Sequence, residues 1–262
     1  MLSAAENSYG AGFRLDGRRV VVLGAGLGMG RESAIAAHQL GASVFCVDLD
    51  GERARATAEI VGGGYAASDV TRKDAVLDLA DAATRELGGI DGVVDVVGMA
   101  AWHDAHATPD EVRERMFALN YVQALHVLEA FVPKLTEGGT FAFVSSVSGV
   151  RGAQGHSAYG AAKAALISLV RSAAVELAPR GIRVNAVAPG VILTPRTQDS
   201  LFADPEFVAA QEANVPMGRF GATSDIAGAL MFLTLPASAY ITGQNLIVDG
   251  GVDAKFPHLT KN

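Results

Sequence analysis

What most limits the folding of this chain is a repeated alternation of short apolar runs with stretches of helical spacing. The first run, 19–23, reads RVVVL and passes directly into the turn GAGLGMG at 24–30 and then into a helical pattern. Apolar residues at every position, rather than every second one, mark a strand covered on both faces. The unit recurs as a strand at 42–47, a helix at 51–61, a short strand at 65–67, a helix at 72–87 and a strand at 92–97. A helix at 109–135, a strand over 141–146, a helix at 159–177, a strand at 182–188, a helix at 224–233 and a last strand at 245–248 complete the pattern. Strands alternating with helices need crossover connections, which put helices on both faces of a parallel sheet. The predicted fold class is α/β, a doubly wound parallel sheet of about seven strands.

With 262 residues, half of them hydrophobic, the chain can bury one large core, and no repeat, low-complexity tract or shift in composition divides it. A single domain is expected over 14–262, behind a loose extension at 1–13. The formal charge of −7, with Lys and Arg scattered, offers no basic face to a nucleic acid. The opening MLSAAENSYGAG has neither the basic start nor the apolar centre of a signal peptide, and no apolar run is long enough to span a bilayer. A soluble, cytoplasmic protein without a membrane partner is expected. The one cysteine, Cys46, stands among Val44, Phe45 and Val47 and reads as packed core.

The turn after the first strand holds Gly24, Gly28 and Gly30, with Leu27 and Met29 between them. Glycines between a buried strand and a helix start let the backbone approach a pyrophosphate and present helix N-terminal amides to it. The second strand ends in Asp48, about twenty residues on, where a dinucleotide-binding fold places the carboxylate that holds the adenosine ribose. The plainer reading of Asp48 is a turn residue before Asp50 and Gly51. Asp48 repels a 2′-phosphate, and Leu27 and Leu49 supply no positive charge, so NAD is expected in preference to NADP.

The run 141–163, FAFVSSVSGVRGAQGHSAYGAAK, joins a buried strand to a helix bearing Tyr159 and Lys163. Four residues apart, that pair shares one helix face. An ammonium one turn from a phenol favours the phenolate and is expected to lower the Tyr159 pKa from its usual value of about 10, making the phenol an acid and base near neutral pH. Ser146, at the end of the strand, can donate a hydrogen bond to a carbonyl oxygen.

Over nearly its whole length the chain resembles the short-chain dehydrogenase/reductase family, in its single-domain branch. The matching residues are Gly24, Gly28 and Gly30; Asp48; Asp69 with Val70; Asn120; Ser146; Tyr159 and Lys163; Asn185, Pro189, Gly190 and Thr194; and the ending YITGQNLIVDGG at 240–251. The resemblance implies a Rossmann-like sheet and an NAD-dependent oxidoreductase that interconverts a secondary alcohol and a ketone or aldehyde. Ser146 would hold the substrate oxygen and Tyr159 pass the proton. Lys163 would bind the nicotinamide ribose and lower the Tyr pKa, and Asn120 would keep a water in a relay to bulk solvent. Asp69 and Val70 would flank the adenine, and Pro189, Gly190, Ile192 and Thr194 would hold the nicotinamide. Leu27, Met29, Leu49, Val96 and Gly98 would complete the cofactor contacts.

By position in the family, the substrate pocket would draw on Met99, Trp102, Val150, Gln154, His156 and Val191, with Phe202 and Phe207 from an irregular lid at 194–219. These are mostly apolar, which suits a neutral hydrophobic alcohol or ketone. His156 is either a helix-entry residue or a pocket-wall donor. Two departures stand out: the family usually has Thr before its first glycine and an Asn-Asn-Ala-Gly run after the fourth strand, where this chain has Leu23 and Asp95-Val96-Val97-Gly98. An ionised carboxylate accepts hydrogen bonds but donates none, so a buried Asp95 is expected to have a raised pKa and to keep its proton at neutral pH.

Other chemistries find less support. His103 and His106 have a ligand-like spacing but sit with Asp104 in a polar loop, and no metal is expected. No nucleophile elbow surrounds a serine. The alternatives kept open are a reductase of carrier-bound 3-oxoacyl groups and a dinucleotide-binding protein with negligible turnover. The helices at 109–135 and 159–177 are apolar on more than one stripe, which calls for cover on two faces and suggests a neighbouring subunit, a homotetramer by the family's habit.

Overall fold

The computed structural model describes residues 9–198 and 204–255. Of the stretch expected to be loose, residues 1–8 lie outside the described residues and Tyr9–Gly12 forms a helical turn, α1. The succession is then β1 (Arg19–Leu23), α2 (Gly28–Gln39), β2 (Ser43–Asp48), α3 (Gly51–Val61), β3 (Gly64–Ala67), α4 (Lys73–Leu87) and β4 (Ile90–Asp95). It continues with α5 (Asp110–Phe117), a π-helical turn (Ala118–Val122), α6 (Gln123–Phe131), β5 (Leu135–Val144) and α7 (Ser157–Leu177). Last come β6 (Arg183–Pro189), β7 (Ile192–Leu193), α8 (Pro195–Gln198), α9 (Pro205–Glu212), β8 (Gly221–Ala222), α10 (Thr223–Thr234) and β9 (Asn245–Val248).

Seven strands form one sheet in the order β3-β2-β1-β4-β5-β6-β9, with every pair parallel. The unbroken apolar runs are explained by a core on each face. Val21 and Leu23 of β1 and Phe141 and Phe143 of β5 pack with α4, α6 and α7. Their alternates Val20, Val22, Ala142 and Val144 pack with α2, α3 and α10. Cys46 belongs to this second core and is buried. The strand order reverses between β1 and β4, and in such sheets a crevice opens at the C-terminal ends of the two strands on either side of that reversal.

Among the differences from the sequence expectation, three have a visible cause. The helix foreseen at 109–135 is two helices around a π-turn and stops at Phe131, with Leu135 already in β5. The cause of the break is Asn120: the carbonyl of Met116, the regular acceptor four residues back, takes a bond from the Asn120 side-chain Nδ2 at 2.9 Å. Side chains that enter the backbone ladder in this way distort helices. β4 ends at Asp95 rather than at 97, because the Asp95 carboxylate turns the chain by accepting from Val97 N–H at 2.9 Å. The stretch 194–219, foreseen as irregular, contains α8 and α9; Asp204 caps α9, and Pro205 starts it.

At the opposite, N-terminal edge of the strands, one carboxylate ties three of them. Asp91 accepts from Arg19 N–H (2.9 Å), from Arg19 Nε (2.7 Å) and from Thr136 Oγ1 (2.7 Å). Burial pushes the Asp91 pKa up, but the hydrogen bonds from Arg19 and Thr136 outweigh it and hold the carboxyl below the ordinary aspartate range. Nearby, buried Arg183 donates to the carbonyl of Leu233 at 2.8 Å and to those of Thr234 and Leu235, the end of α10. Replacing Asp91 by Asn is expected to cost about 3 kcal/mol, read as a fall in Tm of roughly 6–12 °C at neutral pH. A depressed folded pKa contributes stability that is present above the unfolded value and lost as pH falls through the folded one. The gap between wild type and Asp91→Asn should therefore close as thermal melts are taken below about pH 4.

Candidate active site

The turn between β1 and α2 is shaped by what a side chain would hit. Gly24 has φ +81°, and a Cβ on Gly30 would lie 2.0 Å from the Gly24 carbonyl oxygen. Helix α2 thus starts hard against the end of β1. Leu27, at its N-cap, makes no side-chain bond to the first helical amides, which leaves them directed at whatever anion sits there. Asp48, ending β2, accepts from Gly26 N–H at 2.9 Å and from Asp50 N–H at 3.0 Å, so its carboxylate is locked beside the turn. Thr194 stands over Gly28, its Cβ 3.7 Å from where a Gly28 Cβ would be, and is itself bonded to Thr197. Gly190 rests against Asp249 in the same way, at 2.8 Å. These cradles and the fixed acid fit a nicotinamide dinucleotide, which Asp48, the glycine turn, Gly190 and Thr194 would hold.

Other expected cofactor contacts fall into two groups. Leu27 and Leu49 are exposed apolar residues, whereas the side chains of Val70 and Ile192 are buried in the cores, which leaves their backbones to face a ligand. Asp69 closes its own turn, accepting from Thr71 N–H at 3.0 Å and from its hydroxyl at 2.6 Å. Val96 packs under Gly24, and Val96 N–H donates to Leu23 O at 3.1 Å. The sequence reading missed Arg53, whose Cβ packs where a Gly26 side chain would lie; its guanidinium pairs with Asp50 at 3.2 Å. No motif marks it, since only the packing of α3 on the turn brings it there.

The four expected catalytic side chains meet at the ends of β4 and β5. Ser146 follows β5, accepts from Ser148 N–H at 3.1 Å and is hydrogen-bonded with Tyr159. Lys163, only 2 % exposed, reaches back from α7 to donate to Val144 O at 2.7 Å. Its ammonium is 5.9 Å from the Tyr159 ring centre. The π-turn aims Asn120 at the chain after β4: Nδ2 donates to Met99 O at 3.0 Å and Oδ1 accepts from Met99 N–H at 3.2 Å. Gly98 leaves room for both, because a Cβ there would lie 2.7 Å from Asn120 Oδ1 and 2.9 Å from Lys163 Nζ.

Two charge expectations need correction. The Tyr159 pKa is raised, not lowered: burial is the main cause, and the hydrogen bond with Ser146 offsets it in part. The ammonium that was to depress it is engaged by Val144 and is itself pushed down to about 8 by burial, with Asp95 opposing. Asp95 is raised as expected, chiefly by burial, but only to about 6, because Val97 N–H, Gln123 and Lys163 all favour the charged form. Those three groups pull against the expectation that it keeps its proton. Leu23 needs no hydroxyl partner, since it is wholly inside the core.

Beside Tyr159 stands the pocket wall. His156 is the N-cap residue of α7, the helix-entry place foreseen for it, and its ring lies edge-on to Tyr159, 5.5 Å between centres, and 5.1 Å from Trp102. Its Nδ1 pairs with Ser148 Oγ at 2.9 Å, and burial lowers its pKa. Ser148 is a further positioning residue that no sequence signal announced. His103 N–H donates to Gly155 O at 2.8 Å and so holds the loop of Trp102 against that of Gln154. Trp102, Val150 and Val191 are exposed apolar side chains. Phe202 lies outside the described residues, and Phe207 falls in α9. Among the described residues no group of three or more His, Cys, Asp or Glu is gathered as a metal would need, and no helix is long and apolar enough to cross a membrane.

Comparison with known proteins agrees with this geometry. The family model described as Enoyl-(Acyl carrier protein) reductase matches residues 24–253. L-rhamnose 1-dehydrogenase (NAD(P)(+)) of Sphingomonas sp. (strain SKA58) is 37 % identical over 247 residues, 91 % of this chain and 97 % of that one. The 7alpha-hydroxysteroid dehydrogenase of Escherichia coli (strain K12) is 32 % identical over 245 residues, 91 % of this chain and 95 % of that one. The crystal structure of gox2181 superposes with a TM-score of 0.89 at 29 % identity, covering 94 % of this chain and all of the other. The chain belongs to the short-chain dehydrogenase/reductase family, whose dehydrogenases use a nicotinamide dinucleotide.

Because Gly98 separates Asn120 from Lys163, Gly98→Ala should push both off their positions. A displacement of this size in a reacting constellation is worth about 10²-fold in rate. The expected outcome is a kcat lower by that factor in initial-rate assays, with the far-ultraviolet circular dichroism of the fold unchanged.

Proposed function

We propose that this protein is an NAD-dependent dehydrogenase that interconverts a neutral, ring-bearing secondary alcohol and its ketone, with Tyr159 as acid and base. The observation that carries the reading is the meeting of Ser146, Tyr159, Lys163 and Asn120 beside the glycine turn, at the point where the strand order reverses. A nicotinamide dinucleotide held there supplies or accepts the hydride. The Ser146 hydroxyl, its oxygen already engaged by Ser148 N–H, donates to the substrate oxygen. Tyr159 takes the proton of the alcohol in oxidation and returns it in reduction. Lys163 has two N–H groups beyond the one given to Val144 with which to meet ribose hydroxyls. Mere binding of a dinucleotide would need neither Ser146 nor the Tyr159 phenol.

NAD over NADP is supported by the fixed Asp48 carboxylate and by the engagement of Arg53 with Asp50. A neutral ring substrate is supported by the apolar mouth of Trp102, Val150 and Val191, and by relatives named for a sugar and a steroid, both of which carry ring hydroxyls. A single cytoplasmic domain assembled as a homotetramer through α6 and α7 goes with this reading; Val175 on α7 is an exposed apolar residue there, and light scattering would report the assembly.

The direct test is the near-ultraviolet absorbance of reduced cofactor formed from a panel of cyclic secondary alcohols, with NAD and NADP side by side. Tyr159→Phe is expected to lower kcat by roughly 10²–10⁴-fold while leaving NAD binding, read by calorimetry, in place; a variant as fast as wild type would refute the role. Removing the charge at Asp48 with Asp48→Asn should raise kcat/KM for NADP about tenfold relative to NAD, the effect of one lost like-charge repulsion at a solvated site.

A further inference from the structure

Asp95 stands where most of the family carries an amide, and its surroundings give that difference a consequence. It ends β4, and its register partners Leu23 and Phe143 face the same core, so neither neighbouring strand brings a charge to it. From α6 the group that faces it is the neutral amide of Gln123. From α7 it is Lys163, with Tyr159 one turn earlier on the same helix. Oδ1 accepts from Val97 N–H, the Gln123 amide favours the charged form of the carboxylate, and Gln123 Oε1 is buried without a hydrogen-bond partner among the described residues. Asp95 and Lys163 are each only 2 % exposed. Lys163 Nζ donates to Val144 O, one residue beyond Phe143, the register partner of Asp95, and would lie 2.9 Å from a Cβ on Gly98, three residues after Asp95. Each acts on the charge of the other.

We propose that Asp95 is a positioning residue for charge: the buried counter-anion of Lys163, setting the pH range over which Lys163 and Tyr159 hold their protons. The inference rests on the reading of Tyr159 as acid and base given above. A negative charge in a poorly solvated interior makes every nearby proton harder to remove. With Asp95 ionised, Lys163 remains an ammonium to higher pH, and the pull of that ammonium on the Tyr159 phenol is partly cancelled. An asparagine at the same place keeps the acceptor for Val97 N–H and removes the charge, so both protons leave at lower pH. Asp95 also titrates, burial pushing it up to about 6 against the pull of Val97, Gln123 and Lys163. Below that pH its carboxyl is neutral, and the acid and the amide should behave alike. A residue that did no more than tie strand ends together would produce neither the shift nor the convergence.

The experiment compares wild type with Asp95→Asn by two independent readouts. In the protein without added cofactor, an ultraviolet pH titration from which the Tyr159→Phe spectrum is subtracted reports the phenolate of Tyr159; in Asp95→Asn it is expected to move down by about one pH unit. In alcohol oxidation, both limbs of the kcat/KM profile should move to lower pH, the alkaline limb further because Asp95 acts on Lys163 directly, and the two profiles should converge below about pH 6. Asp95→Ser, a smaller neutral replacement, should shift the phenolate in the same direction and serves if the asparagine variant does not fold. A phenolate titration that stays put or moves upward, or profiles that differ only in height, would overturn the proposal. If no alcohol on the panel is oxidised, the functional reading fails by itself, and the phenolate titration still decides the role of Asp95.

Discussion

Lys163 is the pivot of this molecule: a cation closed inside the protein, reaching from the helix that carries the phenol to the last carbonyl of the strand that delivers the serine. An ammonium in such a place is stable only with acceptors and a counter-charge close by. Val144 O supplies the first, and Asp95 is the charge that acts on it. Around this one group the other parts of the site find their positions. Gly98 has no side chain because Lys163 and Asn120 occupy the space, and Asn120 breaks its helix so that its amide can hold the chain at Met99.

The two ends of the sheet divide the labour. At the N-terminal ends of the strands, Asp91 joins β1, β4 and β5, and Arg183 caps α10. The Asp91 carboxylate and the Arg183 guanidinium there are hydrogen-bonded within the protein. At the C-terminal ends the hydrogen bonding is left incomplete. The helix amides after the glycine turn, two protons of Lys163 and the Nε2 of His156 have no protein partner assigned to them among the described residues. A parallel sheet gives this asymmetry for free, since every strand arrives at the same edge and every loop at that edge can bear a functional group.

How much was legible in the sequence differs from element to element. The strands were clear because burial on both faces demands apolar residues at every position, and the glycine turn was clear because a close approach of α2 to β1 tolerates no Cβ. Asp48, Ser146, Tyr159 and Lys163 could be placed by spacing and by family resemblance. The π-turn at Asn120 was hidden, since it arises from a side chain bonding to Met116 and Met99 and leaves the apolar period of the helix almost unchanged. Arg53 and Ser148 were hidden too, being brought to the site by packing between elements rather than by any motif.

By itself the sequence determined the order of elements, the parallel sheet and the residues able to carry hydride-transfer chemistry, because periodicity and glycine placement are local properties of the chain. It could not settle how those residues titrate. The phenol expected to ionise easily is held up by burial, and the acid expected to stay protonated is held partly charged by Lys163, Val97 and Gln123. Protonation depends on solvent exclusion and on charges distant in sequence, which come together only when β4, α6 and α7 pack around one another.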